Sequence, residues 1–262
     1  MNEQERLLHG KLQSLMEAEN KKKHLSPPQI RNLIQKHKAD ILPAFDYDLT
    51  DTTEYQSHWN LLIQIANNRL SAEFRTFEID EYNAKVIQFL LYYFNGCRYA
   101  ERVFPDENYK IHKNLLLVGT PGTGKTLLMQ IFSDYLKLTY NPNQFNNLSV
   151  TQMMNYYKVN GHIDLYTYNE NTSKGFNPHP FNICLNDIGL ETENQKSYGT
   201  SLNSVIDEFL YARYEIYQQL DKRYHITSNM DADAFKERFA DRLVDRFKNF
   251  NVIPLLGDSR RK

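Results

Sequence analysis

The sequence predicts an α/β fold, a parallel sheet flanked by helices. Three observations predict it. Short apolar runs alternate with amphipathic helical stretches from residue 82 onward. One such run, Leu115-Leu116-Leu117-Val118, leads directly into Gly119-Thr120-Pro121-Gly122-Thr123-Gly124-Lys125-Thr126. A second run, Ile183-Cys184-Leu185, ends in Asn186-Asp187. Strands that alternate with helices form parallel sheets covered by those helices. In such sheets a ligand lies outside the carboxyl ends of the strands.

Taken in order, residues 4–23 place Leu7, Leu8, Leu12, Leu15 and Met16 on one helical face, and the stretch ends in Lys21-Lys22-Lys23. Ser26-Pro27-Pro28 caps a second helix carrying Ile30, Leu33 and Ile34. Pro43 and the acidic stretch from Asp46 to Asp51 interrupt the pattern before a third helix around 53–68 with Trp59, Leu62, Ile65 and Ala66. Residues 82–103 read as one strong helix. The strand before the glycines follows, then a helix from Leu127. Thr151–Tyr157 reads as helix with a Ser149 or Thr151 cap, and 159–180 as a polar loop. A short strand at 183–185, a helix over 201–220, a strand at 224–227, a helix over 231–249 and a final strand-like run at 252–256 complete the pattern. The domain boundary is expected near residue 80, giving a helical region over 1–80 and an α/β domain over 81–262.

Composition narrows the function classes. At 262 residues the chain suits one large domain, or one large and one small, at roughly 150 residues per domain. Hydrophobic residues at 41% suffice for a core, and no run approaches the roughly 18 apolar residues of a membrane span. The first eleven residues lack the apolar centre of a secretion signal. Cys97 and Cys184 are isolated, which excludes a disulfide framework and a paired-cysteine metal site and points to a cytoplasmic protein. A net charge of −1 gives no global basic field. Locally the balance varies: residues 41–84 hold two Lys/Arg against eight acids, and 222–262 hold ten against six. The basic tail suits either a solvated face or phosphate contacts with single-stranded DNA.

The eight residues 119–126 follow the pattern G-x-x-x-x-G-K-[ST] between a strand and a helix, the context a phosphate-binding loop requires. Glycines let several backbone N–H groups point inward at an anion, and the helix that follows adds the positive end of its dipole. Lys125 supplies a cation for terminal phosphates, and the Thr126 hydroxyl can ligate Mg²⁺. The triphosphate set is therefore Gly119, Thr120, Pro121, Gly122, Thr123, Gly124, Lys125, Thr126 and Leu127, with ATP and Mg²⁺ as the cofactors. Such a loop needs a partner strand ending in acid. Asn186 falls where the magnesium-side acid is expected and Asp187 where the catalytic acid is expected, so weaker Mg²⁺ affinity or slow turnover is expected, with nucleotide binding kept. Asn229, after Ile226-Thr227-Ser228, is placed to reach the γ-phosphate or the attacking water; alternatively it is a turn or cap residue. Arg242 and Arg246 share one helical face, as a surface ion-pair ladder with Asp241 and Asp245 or as an arginine offered to a neighbouring subunit.

Together these residues resemble the AAA+ ATPases of the DnaC/DnaI replicative helicase-loader family, over roughly residues 82–262. The landmarks are GTPGTGKT at 119–126, CLNDIGLE at 184–191, Arg213-Tyr214, ITSN at 226–229, ADRLVDRF at 240–247, and the closing Gly257-Asp258-Ser259-Arg260-Arg261. The resemblance implies a P-loop NTPase sheet of the AAA+ kind with a small helical N-terminal domain and no C-terminal lid. It implies that Asn229 is the sensor-1 residue, Arg246 the arginine finger and Arg261 a sensor-2 arginine. It further implies a replicative helicase held by residues 1–80, single-stranded DNA, and self-association when ATP is bound. Two departures stand out: Asn186 replaces the usual acid, and no cysteine before Cys97 offers a zinc site. A transposition helper ATPase of the IstB type, partnered with a transposase, shares the landmarks. A nucleotide-binding regulator with little hydrolysis is the reading from another class.

Overall fold

The computed structural model describes residues 49–168, 180–189, 196–197 and 200–260. The first two expected helices, the acidic stretch up to Asp48 and Arg261 lie outside the described residues. The chain divides into two units. One comprises residues up to Ile111 with Leu127–Gln144, and the other His112–Thr126 with Phe145–Lys262.

In the first unit, helix α1 (Thr52–Leu70) begins where the Asp51 carboxylate accepts the N–H groups of Thr53 and Glu54 at 2.7 and 3.1 Å. That cap satisfies two of the donors a helix start leaves open. Its buried face carries Leu61, Leu62, Ile65 and Ala66. The single helix expected over 82–103 is two, α2 (Ala84–Phe94) and α3 (Ala100–Val103). The break has a local cause. Asn95 turns its side-chain N–H back onto Leu91 O at 2.8 Å and also donates to the Tyr135 hydroxyl at 2.9 Å. Its carbonyl oxygen accepts from Asn141 at 2.8 Å, and His58 meets the same Tyr135 hydroxyl. A connected polar chain thus crosses an apolar interior, each link partnered, which is the condition for burying such groups without large cost.

The second unit begins with strand β1 (Asn114–Val118), and helix α4 (Lys125–Leu138) starts within it at Lys125. Next come β2 (Asn146–Ser149) and α5 (Val150–Asn160), the latter opened by a reciprocal Ser149–Gln152 capping box. Strand β3 (Ile183–Ile188) follows, then the small antiparallel pair β4 (Lys196–Ser197) and β5 (Thr200–Ser201). Helix α6 (Leu202–Leu220), β6 (Tyr224–Ser228), α7 (Ala232–Arg238), α8 (Asp241–Arg246) and β7 (Phe250–Pro254) complete the unit.

Five strands form one parallel sheet in the order β2-β3-β6-β1-β7. Helix α5 packs on β2 and β3, and α6 on β6. Val205, Ile206, Phe209 and Leu210 of α6 are buried in one apolar cluster with Leu116, Leu185 and Ile226. Each such side chain contributes about 1.5–3 kcal/mol. The fold is the expected α/β class, a parallel sheet flanked by helices. Its order sets β6 directly between the glycine-loop strand and the acid-bearing strand, so all three carboxyl ends converge.

Two further elements differ from the sequence reading. β2 carries no apolar alternation, and only Leu148 of its four residues is buried. The helix expected over 231–249 breaks at Phe239-Ala240, both in extended conformation. On one continuous helix Phe247 would lie about 120° around from Phe235. With the break, Phe235, Phe239, Phe247 and Phe250 form one aromatic cluster, with ring centroids 5.1–5.6 Å apart, closed against Tyr224 at 5.0 Å. Packing of these four rings, three of them buried, decides against helix continuity.

Candidate functional site

Strand β1 delivers the glycine loop to the carboxyl end of the sheet. A Cβ at Gly119 would come within 2.3 Å of the Leu255 carbonyl oxygen, which no rotamer change relieves. Gly122 has φ +89°, and a Cβ there would meet the Ser259 hydroxyl at 2.2 Å. The spacing of glycines in the motif is therefore enforced by the chain itself as well as by any ligand. Lys125 is buried, and its ammonium donates to Gly119 O at 2.7 Å, Thr120 O at 2.8 Å and Thr123 Oγ1 at 3.4 Å. The cation is thus held over the loop that the pattern assigns to phosphate. Leu127, the third residue of α4, is half-buried.

The segment after β7 lies along this loop. Leu255 N–H donates to Val118 O at 2.8 Å, and Arg260 N–H to Gly122 O at 2.9 Å. The Arg260 guanidinium donates to Thr123 O at 3.2 Å. The sequence pointed to Arg261, which lies outside the described residues; the arginine against the loop is its neighbour.

The acid strand meets the loop through a local irregularity. β3 pairs with β6 in register at Leu185↔Ile226, but two residues later in β6 the partner of Ser228 is Ile188, so the register slips across Asn186-Asp187. Two residues then face one, and such bulges re-aim side chains. Asp187 sits at φ +67°, a left-handed conformation uncommon for a residue other than glycine. Its carboxylate accepts the Thr126 hydroxyl at 3.0 Å. Asn186, expected on the magnesium side, is not the residue paired with Thr126. It is buried, and its amide N–H donates to Asn147 Oδ1 at 3.0 Å and Leu148 O at 3.5 Å, both in β2. The pattern of an apolar run followed by two acids set Asn186 on the magnesium side; across the bulge it is Asp187 that meets the Thr126 hydroxyl.

Asn229 occupies the bend immediately after β6 and is half-buried, at the same end of the sheet as the loop. Arg246 is held within its own chain. Its guanidinium stacks over the rings of Tyr214 and Tyr211 at 4.3 and 4.5 Å, and Nη1 is buried with no hydrogen-bond partner among the described residues. Arg242, one turn earlier, is exposed. Arg213 of α6 is fully buried and donates to the carbonyls of Tyr166 at 2.6 Å and Phe181 at 2.7 Å, tying both to α6. Burial draws its pKa down to about 9.

A divalent cation fits this donor set in one respect. Thr126 and Asp187 present a hydroxyl and a carboxylate oxygen 3.0 Å apart, the hard oxygen donors Mg²⁺ accepts alongside phosphate oxygens. No cluster of three or more His, Cys, Asp or Glu lies among the described residues, so an all-protein cage is not offered there. Among the described residues no helix is long and apolar enough to cross a membrane.

The fold is of the α/β class, a parallel sheet flanked by helices with the glycine loop 119–126 between β1 and α4. No family model matches the chain, and no curated protein matches it. Solved structures that resemble it include AMPPCP-bound DnaA from Aquifex aeolicus, with 19% identity, a TM-score of 0.43, and coverage of 71% of this chain and 50% of that one. The DnaC helicase loader resembles it at 18% identity and a TM-score of 0.42, over 69% of this chain and 94% of that one. A chain of the HORMA:CdnC:Trip13 complex of E. coli MS115-1 follows at 14% and 0.35, over 71% and 62%. This chain thus spans half the length of the DnaA chain it matches.

Proposed function

We propose that this chain is an AAA+ ATPase that binds ATP in the loop 119–126 and uses nucleotide state as a switch on a protein partner in DNA replication. The observation that carries the reading is the Thr126–Asp187 contact at 3.0 Å, which joins the phosphate-loop helix to the acid strand. Backbone N–H groups of Gly122 through Lys125 and the α4 dipole would hold the terminal phosphates. Lys125 would exchange its loop carbonyls for phosphate oxygens. Thr126 and Asp187 would hold Mg²⁺, which when bound neutralises charge on the phosphates. Asn229 would position the attacking water from the end of β6. With Asp187 engaged at Thr126 and an amide at 186, Asp187 is the acid that meets the loop among the described residues, which supports slow turnover. The same observation favours the regulator reading, in which bound nucleotide matters more than hydrolysis. A switch needs only differential partner affinity between ATP and ADP states.

Helicase loading is the form of this function we favour, with residues 1–80 as the partner-binding region, single-stranded DNA as a further ligand, and ATP-dependent self-association. The support is the order of landmarks from 119 to 247, of which residues 119–126, 186–187 and 229 lie at the carboxyl end of the sheet. Within α8, the exposed Arg242 is better disposed than the stacked Arg246 to serve a neighbouring subunit's nucleotide. The test is affinity capture with the full chain in ATP and in ADP, against a purified ring helicase and a purified transposase. ATP-dependent retention of the helicase is expected. Retention of the transposase alone would move the function to the transposition-helper reading, and equal retention in both nucleotides would remove the switch.

A further inference from the structure

We propose that Asn186 and Thr227 form a positioning pair whose hydrogen bonds set the bulge that turns Asp187 toward Thr126; this rests on reading the loop as an ATP and Mg²⁺ site. Thr227 is fully buried in β6. Its hydroxyl accepts the Asp187 backbone N–H at 3.0 Å and donates to Asn186 Oδ1 at 3.4 Å, so one group ties both residues of the irregular step. The Cys184 thiol also points its hydrogen to Asn186 Oδ1, at 3.6 Å. On the other side of the amide, Nδ2 faces two acceptors, Asn147 Oδ1 and Leu148 O. Donors therefore surround one end of the side chain and acceptors the other. Only an amide answers both. A carboxylate at 186 would set an acceptor against acceptors at 2% exposure, a costly arrangement for a charge. The asparagine is thus a fitted part of the site and not the remnant of a lost metal ligand. What the pair secures is Asp187 in its left-handed conformation, which has no glycine to adopt it freely.

The experiment measures the affinity of the full-length chain for a fluorescent ATP analogue with and without Mg²⁺, with thermal melts as a folding control. The quantity read is the ratio of Kd without the cation to Kd with it. Thr227→Val keeps the shape and removes the hydroxyl. It should lower the ratio at least five-fold while leaving the Mg²⁺-free Kd within two-fold. Thr227→Ser should keep the wild-type ratio within two-fold. Asn186→Asp should lower the ratio as well, whereas a rise would overturn the proposal by restoring 186 as a metal ligand. An unchanged ratio in Thr227→Val, or a Thr227→Ser variant as poor as Thr227→Val, would also overturn it. Should Thr227→Val fail to fold, the serine and aspartate variants decide by the same criteria. A wild-type ratio of one overturns the proposal while leaving the loop reading intact. Wild-type affinity no better than that of Lys125→Ala would instead sink the loop reading, and the proposal with it.

Discussion

Gly122 shows how far a single position can be constrained. Its φ of +89° and the Ser259 hydroxyl at 2.2 Å from any added Cβ act together. Gly122→Ala should destabilise the fold by about 1–3 kcal/mol, the usual cost of a side chain held in such a conformation. Urea melts would measure it, and a change within error would mean that the loop and the Leu255–Arg260 segment can separate freely. The two arginines of α8 should behave differently. Arg246→Ala removes two ring contacts and should lower stability by about 1–3 kcal/mol. Arg242→Ala should leave stability within about 0.5 kcal/mol but reduce ATP-dependent self-association in sedimentation runs. The opposite pattern would return the inter-subunit role to Arg246. At this scale the strand, glycine loop and helix around residues 119–126 were legible, because glycines, lysine and threonine at that spacing have few other uses. The sequence did not disclose which of Asn186 and Asp187 meets Thr126 and which faces β2. Those placements depend on a register slip set by a hydroxyl forty residues away at Thr227, and no local pattern encodes such a slip.

Among the elements, β6 carries an electrostatic consequence. His225 is fully buried within it, its Nδ1 accepting the Leu115 N–H at 3.2 Å. Desolvation, reinforced by the nearby Arg223 charge, pulls its pKa down to about 3. The folded protein therefore keeps the ring neutral while the unfolded chain takes up a proton near pH 6.5. Between about pH 6.5 and 3 the unfolded state binds more protons, so stability falls as pH falls, by up to about 1.4 kcal/mol per pH unit from this group. Above pH 6.5 the group contributes no pH dependence. His225→Asn keeps an acceptor for Leu115 and should flatten the stability profile between pH 7 and 5 in urea melts. Identical slopes for the two proteins would contradict the assignment. Strands β1, β3 and β6 were legible as apolar runs, as was α6 from its period. β2 was not, since Asn146-Asn147-Leu148-Ser149 has the composition of a turn and gains strand geometry from pairing with β3. The breaks at Asn95 and Phe239 were equally hidden. A side-chain amide bonded to Asn141 and Tyr135 produces the first, and an aromatic cluster drawn from α7, α8 and two strands produces the second.

At the scale of the whole molecule, alternating apolar runs and helical stretches foretold the α/β class and composition a real core, and the parallel order β2-β3-β6-β1-β7 supplies what no periodicity states. Placing β6 between loop and acid brings residues 119–126, 186–187 and 227–229 to one end of one sheet. The first unit bears on where the chain can be cut. α1 buries Leu61, Leu62 and Ile65, and His58 bonds Tyr135 within the same unit. Removal of residues 1–80 takes α1 out of that interior and should lower the thermal midpoint, seen by circular dichroism. A midpoint unchanged from the full chain would mean that α1 adds nothing to the unit it packs in. The decisive measurement is calorimetric titration of the full-length chain and of Lys125→Ala with ATP and GTP in Mg²⁺. Binding with a single-site stoichiometry is expected for the wild type, with at least a hundred-fold loss in the variant, or about 2.7 kcal/mol. Equal heats from the two proteins, or none from a folded wild type, would contradict a triphosphate held at residues 119–126.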